Sequence, residues 1–306
     1  MRACLSPDAP LDLERTLSRY RIWGDDPVNR LTDRTFRRAV RVEGQWHAYE
    51  VTWEGERDAI SMQITVPRAT RVAVMDAAVD EVRHICGLDL DLAAFYRAVA
   101  RDPVLSPLTR RLRGLRPTLT PQAFEMLVSS ICAQQVNLPF AFAVRARLVR
   151  RFGAAVGIGG DVVHAFPEPA VLARARVDEL RQMQFTTRKA EYIVGLARQV
   201  ADGQLDLRDL ASRSNQRVIE TLTAVRGFGR WTAEWFLARG LGRGDVCPAG
   251  DLGVRRAFEH FYNRGRELSE RAIRRRARAW GPHQNLVVHY LLAGKRDALA
   301  RAGGTP

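Results

Sequence analysis

Hydropathy in this chain changes its period once, and that change limits the folds open to it. Residues 35–66 alternate: Ile60, Met62, Ile64 and Val66 share one side, and so do His47, Tyr49, Val51 and Trp53. A two-residue period places one face of each strand on a core. "EGQ" (43–45) and "EGE" (54–56) supply turns between the runs, so this stretch reads as an antiparallel meander. Beyond it the apolar residues recur at helical spacing. Helices are predicted around 72–85 and in "LDLDLAAFYRAVARD", whose aspartates serve as caps. Another follows Thr120-Pro121, where Phe124, Leu127, Val128 and Ile131 form a stripe. The remaining helices are predicted near 141–152, 171–182, 188–202, 216–224, 230–240, 251–263 and 269–279. The expected class is α+β. A small antiparallel-sheet domain over residues 1–100 precedes a mainly α-helical part, read as an all-α core in two helical lobes over 101–306. There is no internal repeat, and only the tail "AGGTP" is compositionally simple.

Charge points to a partner. The 306 residues carry a net charge of +14, which favours a polyanion, most simply nucleic acid. Lysine occurs only at Lys189 and Lys295, so the positive charge is almost entirely arginine, whose planar fork suits phosphate. Cys4, Cys86, Cys132 and Cys247 are far apart and form no CxxC pair. They offer neither a zinc site nor an iron–sulfur cluster, no metal site is expected from side chains, and a reducing compartment is expected. No signal peptide and no membrane-length apolar run is read, so the expected location is the cytoplasm, with no membrane partner.

Within the helical part, residues 224–235 read "AVRGFGRWTAEW". Gly227 and Gly229 let the backbone turn sharply between two helices and leave amides uncovered. The helix that follows presents unpaired N–H groups at its start, an anion site flanked by Arg226, Arg230 and Thr232. Donors of this kind meet phosphate without reading sequence. A loop then leads to "CPAGDLGVRRAF", with Asp251 at a helix N-terminus. Capping is the ordinary role of an aspartate there, and the helix end favours its negative charge.

Taken together, "LTAVRGFGRWTAEW" and "DVCPAGDLGVRRAF" resemble the helix-hairpin-helix, Gly/Pro-rich loop and aspartate signature of the DNA glycosylase superfamily. Within it the chain is most similar to the bacterial 3-methyladenine DNA glycosylase II (AlkA-like) family. The likeness extends through "TPQAFEMLVSSICAQQVN", "TTRKAEYIVGLARQVADGQLDL" and "WGPHQNLVVHYL", covering roughly residues 115–295, with a weaker match in the N-terminal strand region.

This resemblance implies a base-excision-repair enzyme that flips a damaged nucleotide out of duplex DNA. It makes Asp251 the catalytic carboxylate, stabilising the oxocarbenium-like sugar as the N-glycosidic bond breaks. Trp231 and Trp235 fall at base-pocket positions, where an aromatic face attracts a cationic alkylated purine such as 3-methyladenine or 7-methylguanine. The family's base-stacking tryptophan falls near His283, with Trp280 as a neighbouring stacking surface. The minor-groove wedge falls at Gln134 or Gln135. Lyase-type members carry a lysine where this chain has Trp231, so a monofunctional hydrolase without lyase activity is expected. No cofactor is expected beyond a Na+ or K+ ion at the hairpin backbone carbonyls. A monomer acting on double-stranded DNA at the bacterial nucleoid is the corresponding expectation. The alternatives are a non-catalytic helix-hairpin-helix DNA-binding protein, or a glycosylase for deaminated or oxidised bases such as hypoxanthine.

Overall fold

A computed structural model describes residues 1–67, 71–301 and 303. Strands β1 (Arg2–Leu5), β2 (Arg30–Thr32), β3 (Thr35–Val42), β4 (Gln45–Glu54) and β5 (Ser61–Thr65) form one antiparallel sheet in the order β1-β5-β4-β3-β2. The β4–β5 register sets Val51 opposite Ile64 and Trp53 opposite Met62, all four buried. The alternation in the sequence therefore faces one core. The helix Val72–Ile85 closes it with Val74, Met75, Ala78, Val82 and Ile85. Strands β1 and β2 extend the meander on either edge; they are short and bury no residue fully, so no apolar run marks them in the sequence.

The expectation of an all-α remainder is corrected by a second hairpin, β6 (Ala155–Ile158) and β7 (Asp161–His164). Gly159 and Gly160 turn it with φ of 57° and 86°, the positive pair that a two-residue hairpin turn requires. It docks on the first sheet, where Val163 and Ala165 join Ala39 and Ala48 in a small apolar cluster. The predicted helix at 171–182 is two short ones, Pro169–Leu172 and Val177–Gln182. The helix expected after Thr120 begins at Ala123. Thr120 instead gives its backbone N–H to the Arg239 carbonyl at 2.8 Å.

The longest helix, Gln284–Arg301, has no counterpart among the predicted ones. Residues 285–291 are buried on every side, so no apolar stripe announces it. The helices from Leu92 to Ala293 share a continuous apolar cluster. Of the tail "AGGTP", all but Gly303 lies outside the described residues. No described helix is long and apolar enough to cross a membrane.

Sheet and helical core are joined by buried charge. Arg38 on β3, with no measurable exposure, donates to Glu81 at 2.6 Å, Asn29 at 2.5 Å and Glu125 at 2.5 Å. Arg145, on the helix Leu138–Phe152, donates to Asp26 at 2.8 Å and to the other oxygen of Glu125 at 2.6 Å. Burial alone would raise the Asp26 pKa, but Arg145 and the Asn29 hydrogen bonds hold it below the usual carboxylate value. Each of these charges has an opposite charge within hydrogen-bonding distance, the condition for tolerating ions in a core.

Candidate active site

The helix Leu252–Tyr262 starts at Asp251, whose Oδ1 accepts the Val254 N–H at 3.0 Å. Its Oδ2 accepts two indole N–H groups, from Trp231 at 2.7 Å and Trp235 at 3.1 Å. The i, i+4 spacing of the tryptophans puts both on one face of the helix Arg230–Trp235. A carboxylate offers about four lone-pair directions; three are taken, leaving one toward the cavity. Capping and an exposed acceptor thus coexist in one side chain.

That cavity, about 580 Å³, has Asp251, Trp231 and Trp235 at one end, and its size suits a small-molecule-sized guest. Trp235 is fixed by more than its N–H: the Arg239 guanidinium sits 5.4 Å from its ring centroid and the His289 ring meets it edge-on at 6.0 Å. His289 Nδ1 lies 2.9 Å from the Asn285 carbonyl, and Nε2 accepts from Arg239 Nε at 3.3 Å. Those contacts require the neutral Nδ1–H tautomer. Burial first, and Arg19 in addition, push its pKa down to about 4. Thr16, Arg19, Tyr20, Phe142 and Arg145 also line this cavity. Sequence reading missed this part of the wall and His289. A lone histidine inside "NLVVHYLL" was the available signal; Arg19 had none.

At the hairpin, Gly227 has φ of +93°, and a Cβ there would collide with the Tyr192 ring. Gly229 is different: its φ is −117° and a Cβ would meet nothing within 4 Å. Gln134 donates through Nε2 to the Gly227 carbonyl at 2.9 Å, while Gln135 is exposed at φ 55°. Arg226 pairs with Glu191 at 2.9 Å and Arg230 with Glu234 at 2.8 Å. Buried Glu234 also holds Arg274 at 2.6 Å, so the helix Glu270–Ala277 braces the hairpin helix.

Four expectations are corrected. Trp280 and His283 do not line the cavity. The 3₁₀ turn Arg278–His283 bends at Gly281 (φ 54°, ψ −123°) and sends Trp280 against Phe258 and Tyr262, at 6.0 and 5.8 Å, and His283 against Phe95 at 5.9 Å. Thr232 is 1% exposed, so its side chain is packing and does not face DNA. Gln134 is committed to the hairpin carbonyl, leaving Gln135 as the free glutamine. Of the two lysines, Lys189 gives Nζ to the Cys132 carbonyl at 3.0 Å, whereas Lys295 lines the cavity despite its distance in sequence from the hairpin.

Strand domain, hairpin and capped carboxylate define a two-part helix-hairpin-helix architecture. Residues 128–283 match the HhH-GPD superfamily of base excision DNA repair proteins, and residues 4–123 match the AlkA N-terminal domain. The chain belongs to the HhH-GPD superfamily, with the AlkA-type domain at its N-terminal side. It is 31% identical over 204 residues to the DNA-3-methyladenine glycosylase of Bacillus subtilis, covering 67% of each chain. It is 25% identical over 322 residues to a probable N-glycosylase/DNA lyase of Methanothermobacter thermautotrophicus, covering 97% of this chain and 99% of that one. The structure of a 3-methyladenine DNA glycosylase from Archaeoglobus fulgidus superposes with a TM-score of 0.86 at 28% identity, over 96% of this chain and 98% of that one.

Proposed function

We propose that the protein is a monofunctional DNA glycosylase that releases alkylated purines, 3-methyladenine and 7-methylguanine among them, from duplex DNA. The observation carrying this reading is the Asp251 carboxylate, held by two indole N–H groups in the wall of a cavity of about 580 Å³, roomy enough for a base. The relatives named for 3-methyladenine support the substrate class. Gly229 lets a phosphate reach the start of the Arg230–Trp235 helix, and Gln135 enters the gap left by the flipped nucleotide. The base enters the cavity past Trp231. As the glycosidic bond lengthens, positive charge grows on the sugar, and the fixed carboxylate stabilises it without reorganising. Its remaining lone pair orients the attacking water. Alkylation at N3 or N7 makes the base a good leaving group, so no general acid is needed.

No lysine occupies the Trp231 position, which supports hydrolysis without strand cleavage. A Na+ or K+ ion fits the hairpin: the Val225 and Gly227 carbonyls each accept one hydrogen bond, from Phe228 N at 3.0 Å and Gln134 Nε2 at 2.9 Å, leaving a second lone pair. Bound there, it would add positive charge toward the phosphate.

The test is base release from methylated duplex DNA by wild type and Asp251→Asn. The variant removes the charge and keeps a single acceptor oxygen, enough for the Val254 cap or for the indoles but not for both, and a loss of roughly a hundredfold or more is expected. Equal rates would remove Asp251 from the mechanism. DNA binding by a wild type that releases no base would leave a non-catalytic binding protein.

A further inference from the structure

The cavity holds a cation that the chemistry at Asp251 does not use. Arg19 opens the short helix Arg19–Ile22 and lies in the cavity wall, its guanidinium 5.5 Å from the Phe142 ring centroid. Among the described residues it makes no hydrogen bond and no ion pair. The carboxylates beside it are already taken. Asp26 Oδ1 accepts from Val28 N, Asn29 N and Arg145, and Oδ2 accepts from Asn29 Nδ2. Both oxygens of Glu125 are held by Arg38 and Arg145. His289 is likewise spent, between Asn285 and Arg239. Burial lowers the Arg19 pKa, the mark of a charge short of partners. A guanidinium only donates, so this wall asks its guest for acceptors.

We infer that Arg19 is a specificity-determining residue that selects 6-keto purines over 6-amino purines. The inference rests on the glycosylase reading. Asp251 and Arg19 line the same cavity, so a purine whose sugar is held at Asp251 turns its free edge toward the wall that includes Arg19. There a 6-keto purine presents O6 and N7, the acceptor pair that an arginine fork matches, whereas a 6-amino purine presents an N–H donor against donors. Charge alone does not make this distinction. 3-Methylguanine and 3-methyladenine carry the same positive charge and differ at the edge Arg19 reads.

Methylated DNA contains both bases, and chromatography resolves them in one reaction. Wild type, Arg19→Gln and Arg19→Lys are compared for the ratio of kcat/KM on the two, with thermal melting of each protein alongside. Lysine keeps the positive charge near Asp26 and Glu125 but lacks the fork, so it guards against a variant that fails to fold. Both variants are expected to lower the 3-methylguanine to 3-methyladenine ratio by about tenfold or more, the lower range for losing a bidentate contact. Free hypoxanthine should quench the cavity tryptophans of wild type at lower concentration than free adenine, and the gap should close in the variants. If release of both bases falls in parallel, or if neither changes, Arg19 merely balances buried charge and the inference is overturned. A wild type that releases no base would overturn the glycosylase reading itself, and the inference with it.

Discussion

His289 gives the folded protein a pH dependence that can be worked from geometry. It is buried, its Nδ1–H is committed to the Asn285 carbonyl, and its Nε2 must stay unprotonated to accept from Arg239. Its pKa lies at about 4 against an ordinary 6.5. Below pH 6.5 the unfolded chain therefore holds a proton that the folded chain refuses, and stability falls as the pH drops from 6.5 toward 4. The full interval is worth about 3 kcal/mol, of which about 2 kcal/mol is lost by pH 5. The assay is urea denaturation of wild type and His289→Gln across this range. Glutamine can meet both contacts without titrating, and other histidines titrate alike in both proteins. The stability of wild type relative to the variant should thus fall by about 2 kcal/mol between about pH 7.5 and pH 5. Two denaturation series that stay parallel over this range would refute the assigned tautomer. They would also remove the argument that Trp235 rests on a neutral imidazole.

Three other outcomes are expected. Gly227→Ala should lose at least about 1 kcal/mol of stability from its left-handed backbone alone, and should weaken binding to an abasic duplex in fluorescence anisotropy, because the Tyr192 ring must move; unchanged affinity would show that hairpin shape is not used. Glu125→Gln, which leaves Arg38 and Arg145 short of one negative charge, should cost about 3–5 kcal/mol in chemical denaturation; a loss below about 1 kcal/mol would mean that water replaces the ion pairs. Borohydride added during turnover should trap no covalent protein–DNA adduct. An adduct that disappears in Lys295→Gln would make that lysine a nucleophile and end the monofunctional reading.

The parts of the molecule legible in the sequence are those where a local pattern meets a local cause. The meander is visible because Val51, Trp53, Met62 and Ile64 alternate against one core, and the hairpin because Gly227 has no other residue that fits over Tyr192. The tryptophan pair is legible because its i, i+4 spacing sets both on one helix face, whereas Asp251, on another helix, joins them only through the resemblance. The Gly159-Gly160 turn is equally local, but its strands of four residues each are too short to set a two-residue period within a helical neighbourhood. Other features have no local signature. Arg19 reaches the cavity only because the N-terminal segment crosses to the Phe142 helix, and His289 only because a wholly buried helix passes behind Trp235. Trp280 and His283 failed for the converse reason: the bend at Gly281 turns both away, and a motif match cannot register a backbone angle.

The buried charges that join sheet to helices also constrain inheritance. Arg38 and Glu81 belong to the strand domain and Glu125 and Arg145 to the helical core, while Arg19 comes from the same N-terminal stretch as the strands. Each half sends an arginine to a carboxylate of the other, Arg38 to Glu125 and Arg145 to Asp26. A recombinant that took its first hundred residues from a relative would import a new cavity wall and an unmatched set of buried ions together, so selection for folding would also select for what the cavity admits. In such a molecule cavity shape and foldability are tied together, because Asp26, Glu125 and Arg145 both line the cavity and join the two parts.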